Sequence, residues 1–259
     1  MKKYITNRYA LTTIGVILFF LLWYFIYLIE GQNIYVFPGP VSTIKRSFEL
    51  FGDPFLYMCI WGSLYRMLIG FSIASLVAIF VGMIVGNHLK LKHVFNPTMI
   101  ALRSIPTAAI VFLLLHLAGF DNASPYVVGV IVFPMVYEAT VSGYQHIDKQ
   151  VLMAMQLDSN NFLQKNFRIK LPLSMPYIAV GLTSSFALSF KIEIMAETLT
   201  STSKSYGLGR AIAVEFGNQT DGLISTFAYA FVAILIMLIV SLIIFVIKKS
   251  LKIKNPDEN

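Results

Sequence analysis

The sequence predicts an all-α membrane protein, a single bundle of six transmembrane helices, on three observations. Of 259 residues, 57% carry apolar side chains and only 13% are charged, far from the balance of water-soluble domains. Six apolar runs, at 10–29, 62–86, 98–118, 124–142, 176–198 and 223–247, are long enough to cross a bilayer. Finally, Lys and Arg are sorted between alternate loops, as the positive-inside rule requires.

The first run reads as a retained span, because about 20 apolar residues exceed a signal-peptide core and Glu30-Gly31-Gln32-Asn33 offers no small-residue cleavage site. Phe37-Pro38-Gly39-Pro40 makes a rigid turn after it, and Val41–Phe51 predicts a short interfacial helix with Ile44, Phe48 and Phe51 toward lipid. The second run carries a ladder of small residues, Gly70, Ala74, Ala78, Gly82 and Gly86, at every fourth position. This spacing lets a neighbouring backbone approach closely, and packing inside the bundle is its plainest use. The third and fourth runs contain Pro106 and Pro134, which neighbouring helices can accommodate.

A second ladder in the fifth run turns polar: Gly181, Ser185, Ser189, Glu193, Glu197. Residues four apart share a helix face, and a carboxylate at membrane depth must meet water or a cation. Two roles stay open for Ser185, Ser189, Glu193 and Glu197: lining a translocation pathway, or pairing with buried cations. Depth matching predicts that Arg66 meets one of the outer Glu residues and that Arg103 meets Glu138. Lys191 lies nearly opposite Glu193 around the helix, and the sequence supplies no role for it.

Orientation follows from charge. With an even number of spans, both termini share a side with the loops at 87–97 and 143–175. These four segments hold 13 of the 20 Lys and Arg, whereas the opposite loops hold Lys45, Arg46, Lys204 and Arg210. Both termini are therefore expected in the cytoplasm. The net charge of +7 is a product of this topology and implies no nucleic-acid partner. Phosphate-loop, metal-ligand and nucleophile-plus-base patterns are not evident, so the chain is expected to be neither an enzyme nor a cofactor binder.

The cytoplasmic stretch Asp148–Pro172 is a basic island between apolar runs. It predicts a helix capped by Asp148 and carrying Val151, Leu152 and Met155, a break at Ser159-Asn160-Asn161, and a second helix, capped by Asn161, carrying Phe162, Phe167, Ile169 and Leu171. Apolar side chains on a protruding helical hairpin call for a partner protein.

The spacing that ends in Ile169-Lys170-Leu171-Pro172 resembles the cytoplasmic EAA loop of binding-protein-dependent ABC importer permeases. The Glu-Ala-Ala triplet falls on Met153-Ala154-Met155, and the glycine position on Ser159, so the match lies in the ending and the spacing. Phe37-Pro38-Gly39-Pro40, Ser63-Leu64-Tyr65-Arg66 with Gly70-Phe71, Asn96-Pro97 with Ser104-Ile105-Pro106, and Ala196-Glu197 leading to Gly207-Leu208-Gly209 are similar to the nitrate/sulfonate/taurine-type branch over residues 37–247. The resemblance implies a six-helix permease of the type I importer kind, with residues 1–259 as one permease domain in a prokaryotic cytoplasmic membrane. It further implies a second permease copy, a homodimer, on two cytoplasmic ATPase subunits, with an external substrate-binding protein delivering the solute. Ala154, Met155, Ser159, Phe162, Phe167, Ile169, Leu171 and Pro172 would be the ATPase-coupling residues, with Lys165, Arg168 and Lys170 tuning electrostatic fit. Two alternatives are a secondary transporter using Glu193 or Glu197, and a structural subunit of a membrane complex.

Overall fold

The computed structural model describes residues 8–119, 122–148, 150–151, 153, 165–200, 205–218 and 220–250. In chain order the elements are α1 (Arg8–Ile29), α2 (Pro40–Leu50), α3 (Pro54–Gly86), α4 (Leu89–Ser104), α5 (Thr107–Ala118) and α6 (Ala123–Gln145). A π-helical turn (Asn166–Lys170) then leads into α7 (Leu171–Leu199), followed by α8 (Leu208–Asn218), a short β1 (Thr220–Leu223) and α9 (Ile224–Ser250).

Helix starts follow local chemistry. Pro40 and Pro54 occupy the first positions of α2 and α3, where a missing N–H costs nothing. Asp53 caps α3 by accepting the Phe55 N–H at 2.9 Å. The expected surface helix is present: Val41, Phe48 and Phe51 are exposed and Ile44 is half-buried, while Thr43, Ser47 and Leu50 are buried. It lies against α9, with Ser47 Oγ donating to the Ala228 carbonyl.

The third span is not one straight helix. Ile105 and Pro106 are extended, and α4 and α5 meet at a bend of 95°. Proline disfavours helical geometry in the residue before it and donates no N–H, so the Ser104-Ile105-Pro106 sequence breaks what was expected as a continuous span. Among the described residues, five helices are long and apolar enough to cross a membrane, or up to six spans if the bent pair counts as one.

α6 is the central helix, packed mainly against α3 and α7. The small-residue ladder of α3 makes the first of these contacts. Gly70 sits on the Pro125 carbonyl, and a Cβ at Gly82 would come within 2.7 Å of the Thr140 side chain. One at Gly86 would come equally close to Tyr144. Gly181 of α7 lies against Ala139, and Gly143 of α6 lies against Ser174 and Tyr177. Packing inside the bundle thus accounts for both ladders. One apolar core surrounds Val127, Val128, Val132 and Val136 of α6, and a second joins Leu56 and Met67 of α3 to Phe190, Leu208 and Tyr229.

α1 stands apart. None of its span is buried in this chain. It touches the rest through Trp23, which donates to the Pro38 carbonyl at 3.1 Å and meets Phe227 and Phe231, and through Tyr27 over Gly39.

Candidate functional site

At the end of the bundle near α8, one guanidinium organises two helices and a loop. Arg66 of α3 reaches across to α7, where its Nε donates to Glu193 at 3.2 Å and its Nη2 donates to Glu197. The same Nη2 donates to the Tyr206 carbonyl at 2.6 Å, which pins the segment leading into α8. The sequence predicts one Glu partner for Arg66; it has two, because Glu193 and Glu197 are one turn apart and the guanidinium fork spans them.

Each carboxylate has further donors. Ser63 Oγ lies 2.8 and 2.9 Å from the two oxygens of Glu197 and accepts the Leu208 N–H at 2.9 Å. The Gly209 N–H donates to Glu197 at 2.9 Å, and Ser124 Oγ donates to Glu193 at 2.8 Å. Glycine is needed at 207 and 209 by close approach. A Cβ at Gly207 would come within 2.6 Å of both Arg66 and Glu197, and one at Gly209 within 2.7 Å of the Glu197 Cβ. In the sequence, Ser63 and Gly207-Leu208-Gly209 stand out only as family-like motifs; folding makes them the cradle of Glu197.

Ser185, Ser189 and Glu193 are completely buried, and Glu197 is 3% exposed. They lie on the packed side of α7, facing neighbouring helices of their own chain, and the two Ser hydroxyls bond to backbone carbonyls one turn back. Of the two roles open in the sequence, pairing with a buried cation is the one with a geometric counterpart for the Glu residues. Within the single chain, α7 turns this stripe toward α3 and α6, where Arg66 and Ser124 meet its carboxylates.

Open space lies on another face. A cavity of about 730 Å³ is bounded by α4 from Lys92 to Arg103, the second half of α6 and the first half of α7. Its polar lining includes Asn96, Arg103, Glu138, Gln145 and Ser184. Arg103 and Glu138 form the ion pair expected between them, with Arg103 also donating to the Pro134 carbonyl at 3.3 Å. Lys92 donates to Gln145 at 2.7 Å. The cavity lies toward the end of the bundle where α6 ends at Gln145 and α7 begins at Leu171, whereas the Arg66 cluster lies toward the end near α8.

Part of the expected hairpin is described. Asp148 Oδ1 accepts the Gln150 N–H at 2.8 Å, the geometry of the anticipated cap. Ala154, Met155, Ser159, Phe162 and the Asn161 cap lie outside the described residues. Phe167 and Pro172 are exposed, and Ile169 and Leu171 are half-buried. The second piece does not end before Pro172: the π-turn runs straight into α7, with Pro172 at the second residue of that helix. Asn87, at the end of α3, ties this junction down by donating to Asn166 at 2.7 Å while accepting from Lys170.

Comparison with known proteins gives a consistent result. The family described as "Binding-protein-dependent transport system inner membrane component" matches residues 74–253. The nitrate import permease protein of Synechocystis sp. is 30% identical over 66% of this chain and 64% of its own length. The bicarbonate transport system permease protein of Synechococcus elongatus is 29% identical over 72% of this chain and 70% of its own. The putative aliphatic sulfonates transport permease protein of Bacillus subtilis is 24% identical over 65% of this chain and 61% of its own. The chain thus matches just under two thirds of the Synechocystis relative's length.

Proposed function

The chain belongs to the inner membrane components of binding-protein-dependent transport systems, a multi-pass permease family, and from that premise we propose how it works. Two copies stand side by side in the cytoplasmic membrane on two ATPase subunits, and an external binding protein delivers a small solute. The solute passes along the face of α4, α6 and α7 that bounds the 730 Å³ cavity. The cluster of Arg66, Glu193 and Glu197 closes the external side of each subunit. The termini and the 148–172 segment are cytoplasmic, and Phe167 with its neighbours docks into the ATPase.

The observation that carries this reading is the polarity of the bundle along its axis. One end holds a cavity of mixed polar and apolar lining near the start of α7, and the other is cross-linked by a buried ion-pair cluster. This is the shape of a permease resting open to the cytoplasm. ATP-driven approach of the ATPases pushes the two coupling segments together, and the Asn87–Asn166–Lys170 contacts carry that motion into α3 and α7. Solute chemistry is taken from the relatives, whose names specify nitrate, bicarbonate and aliphatic sulfonates.

Reconstitution into proteoliposomes tests the proposal. The chain, its ATPase and its binding protein should together accumulate nitrate, bicarbonate or an alkanesulfonate only when ATP is supplied. Uptake by the chain alone, driven by an ion gradient, would replace it with a secondary carrier.

A further inference from the structure

Lys191 is a charged side chain within a span, without an ion-pair partner among the described residues. It lies eight residues, about 12 Å, inside the end of α7 at Leu199, well within the span. Whereas Glu193 and Glu197 are buried against Arg66, Lys191 is exposed on the outside of its own chain. Among the described residues no carboxylate forms an ion pair with it. An ammonium group at this depth does not face lipid without a large penalty, so its face of α7 meets water or a partner. Reaching back to the external surface is also unfavourable. Side chains on a helix lean toward its N-terminus, which directs the Lys191 stem deeper, toward Ser184.

Helical geometry says which surface this is. Tyr177, Ser184 and Lys191 are spaced by seven residues, two turns, and share one side of α7. Tyr177 and Ser184 line the 730 Å³ cavity, together with Val180. Lys191 therefore stands on the continuation of the cavity wall, about 10 Å beyond Ser184. Its ammonium carries three hydrogen-bond donors and no acceptor, a group suited to the oxygens of a carboxylate, sulfonate or inorganic oxyanion.

We propose that Lys191 is a solute-contacting residue of the translocation pathway and that it makes the pathway selective for anions. The inference rests on the permease reading above and gives it a substrate class drawn from this chain's own chemistry. It also reconciles two carboxylates near the external end with an anionic solute. Arg66 and the packed face of α7 withdraw Glu193 and Glu197 from the passage, while Lys191 alone among these three charges of α7 is turned to the open side.

Charged thiol reagents test this in the assembled transporter. Cys59 is the chain's single cysteine, so Cys59→Ala gives a background in which Ser184→Cys reports on the cavity. Sulfonatoethyl methanethiosulfonate is the anionic probe, and its trimethylammonioethyl counterpart is the cationic one. Each rate is divided by that reagent's rate with a free thiol. With Lys191 in place the anionic reagent should react roughly tenfold faster than the cationic one, the scale of one charge acting over about 10 Å in a partly desolvated channel. Lys191→Gln should bring the ratio near unity, Lys191→Glu should invert it, and Lys191→Arg should preserve it. An unchanged ratio in Lys191→Gln overturns the proposal while leaving the permease reading intact. Loss of the dimer in that variant overturns it as well, since Lys191 would then be held by a carboxylate of the second copy. Failure of both reagents to reach Ser184→Cys would overturn the aqueous face itself, and ATP-driven uptake measured in parallel separates that result from loss of transport.

Discussion

Arg66 concentrates more of the structure's electrostatic risk than any other residue. Its guanidinium faces two carboxylates that are buried or nearly so, and removing it takes the cation from both. Arg66→Leu should lower the thermal stability of the purified subunit by about 3–5 kcal/mol, the range for breaking a buried pair. Adding Glu197→Gln should recover part of that loss, and both changes are read as melting midpoints in detergent. Wild-type melting of the single variant would show that the cluster contributes nothing. Ser63→Ala should cost about 1–3 kcal/mol by the same measurement, because it removes a donor from Glu197 and an acceptor from Leu208. Glu215 of α8, outside the spans, behaves differently. Burial raises its pKa, the Asp221 charge raises it further, and Arg46 opposes both. The folded state therefore holds this proton more tightly than the unfolded chain does. Stability contributed here is present below the ordinary value of 4.5 and declines as pH rises through the raised one. Glu215→Gln should flatten that part of the pH–stability curve, and an unaltered slope would assign it to other groups.

Among the elements, α3 and α6 are joined where side chains of α6 sit over glycines of α3. Gly82 and Gly86 exist because Thr140 and Tyr144 occupy the space a side chain would need. Gly82→Leu should prevent proper closure of this pair and abolish folded yield, as judged by a monodisperse peak in size-exclusion chromatography. The same substitution at Gly15 of α1, which has open space around it, should leave that peak unchanged. The π-turn at Asn166–Lys170 shows the converse, a junction made specific by polar contacts. Asn87→Ala removes the amide that donates to Asn166 and accepts from Lys170. That variant should retain the fold yet weaken coupling, lowering solute-stimulated ATP hydrolysis several-fold, at about 1.4 kcal/mol per factor of ten. Full stimulation would mean that force enters the bundle elsewhere.

For the whole molecule, the decisive property is that its two ends differ. A cavity near the start of α7 and a buried ion-pair cluster at the far end give the bundle a direction, which a transporter requires and a structural subunit does not. Phe167→Ser, at an exposed position next to the bundle, should abolish ATPase binding in a pull-down while leaving the subunit's melting temperature within about 2 °C, as expected for a surface change. Retained binding would remove Phe167 from the docking surface. The unburied α1 fits the same picture, because an apolar helix that touches its own chain through Trp23 and Tyr27 leaves the remaining helices to form the packed body.

Sequence alone determined the class and the order of the apolar segments. Those properties depend on runs and periods along one chain, and lipid enforces them strongly. It also determined that Arg103 and Glu138 pair, since depth along two spans was sufficient to match them. Tertiary structure decided how each helix is rotated. The stripe ending in Glu193 and Glu197 is legible as a stripe, but whether it faces a passage or a neighbour depends on where α3 and α6 sit. Rotation likewise put Lys191 on the exposed side of α7, away from Glu193 and Glu197. The 95° break at Ile105-Pro106 belongs with these. A proline in a span permits either a kink or a full turn, and only the packing of α5 against α6 selects between them.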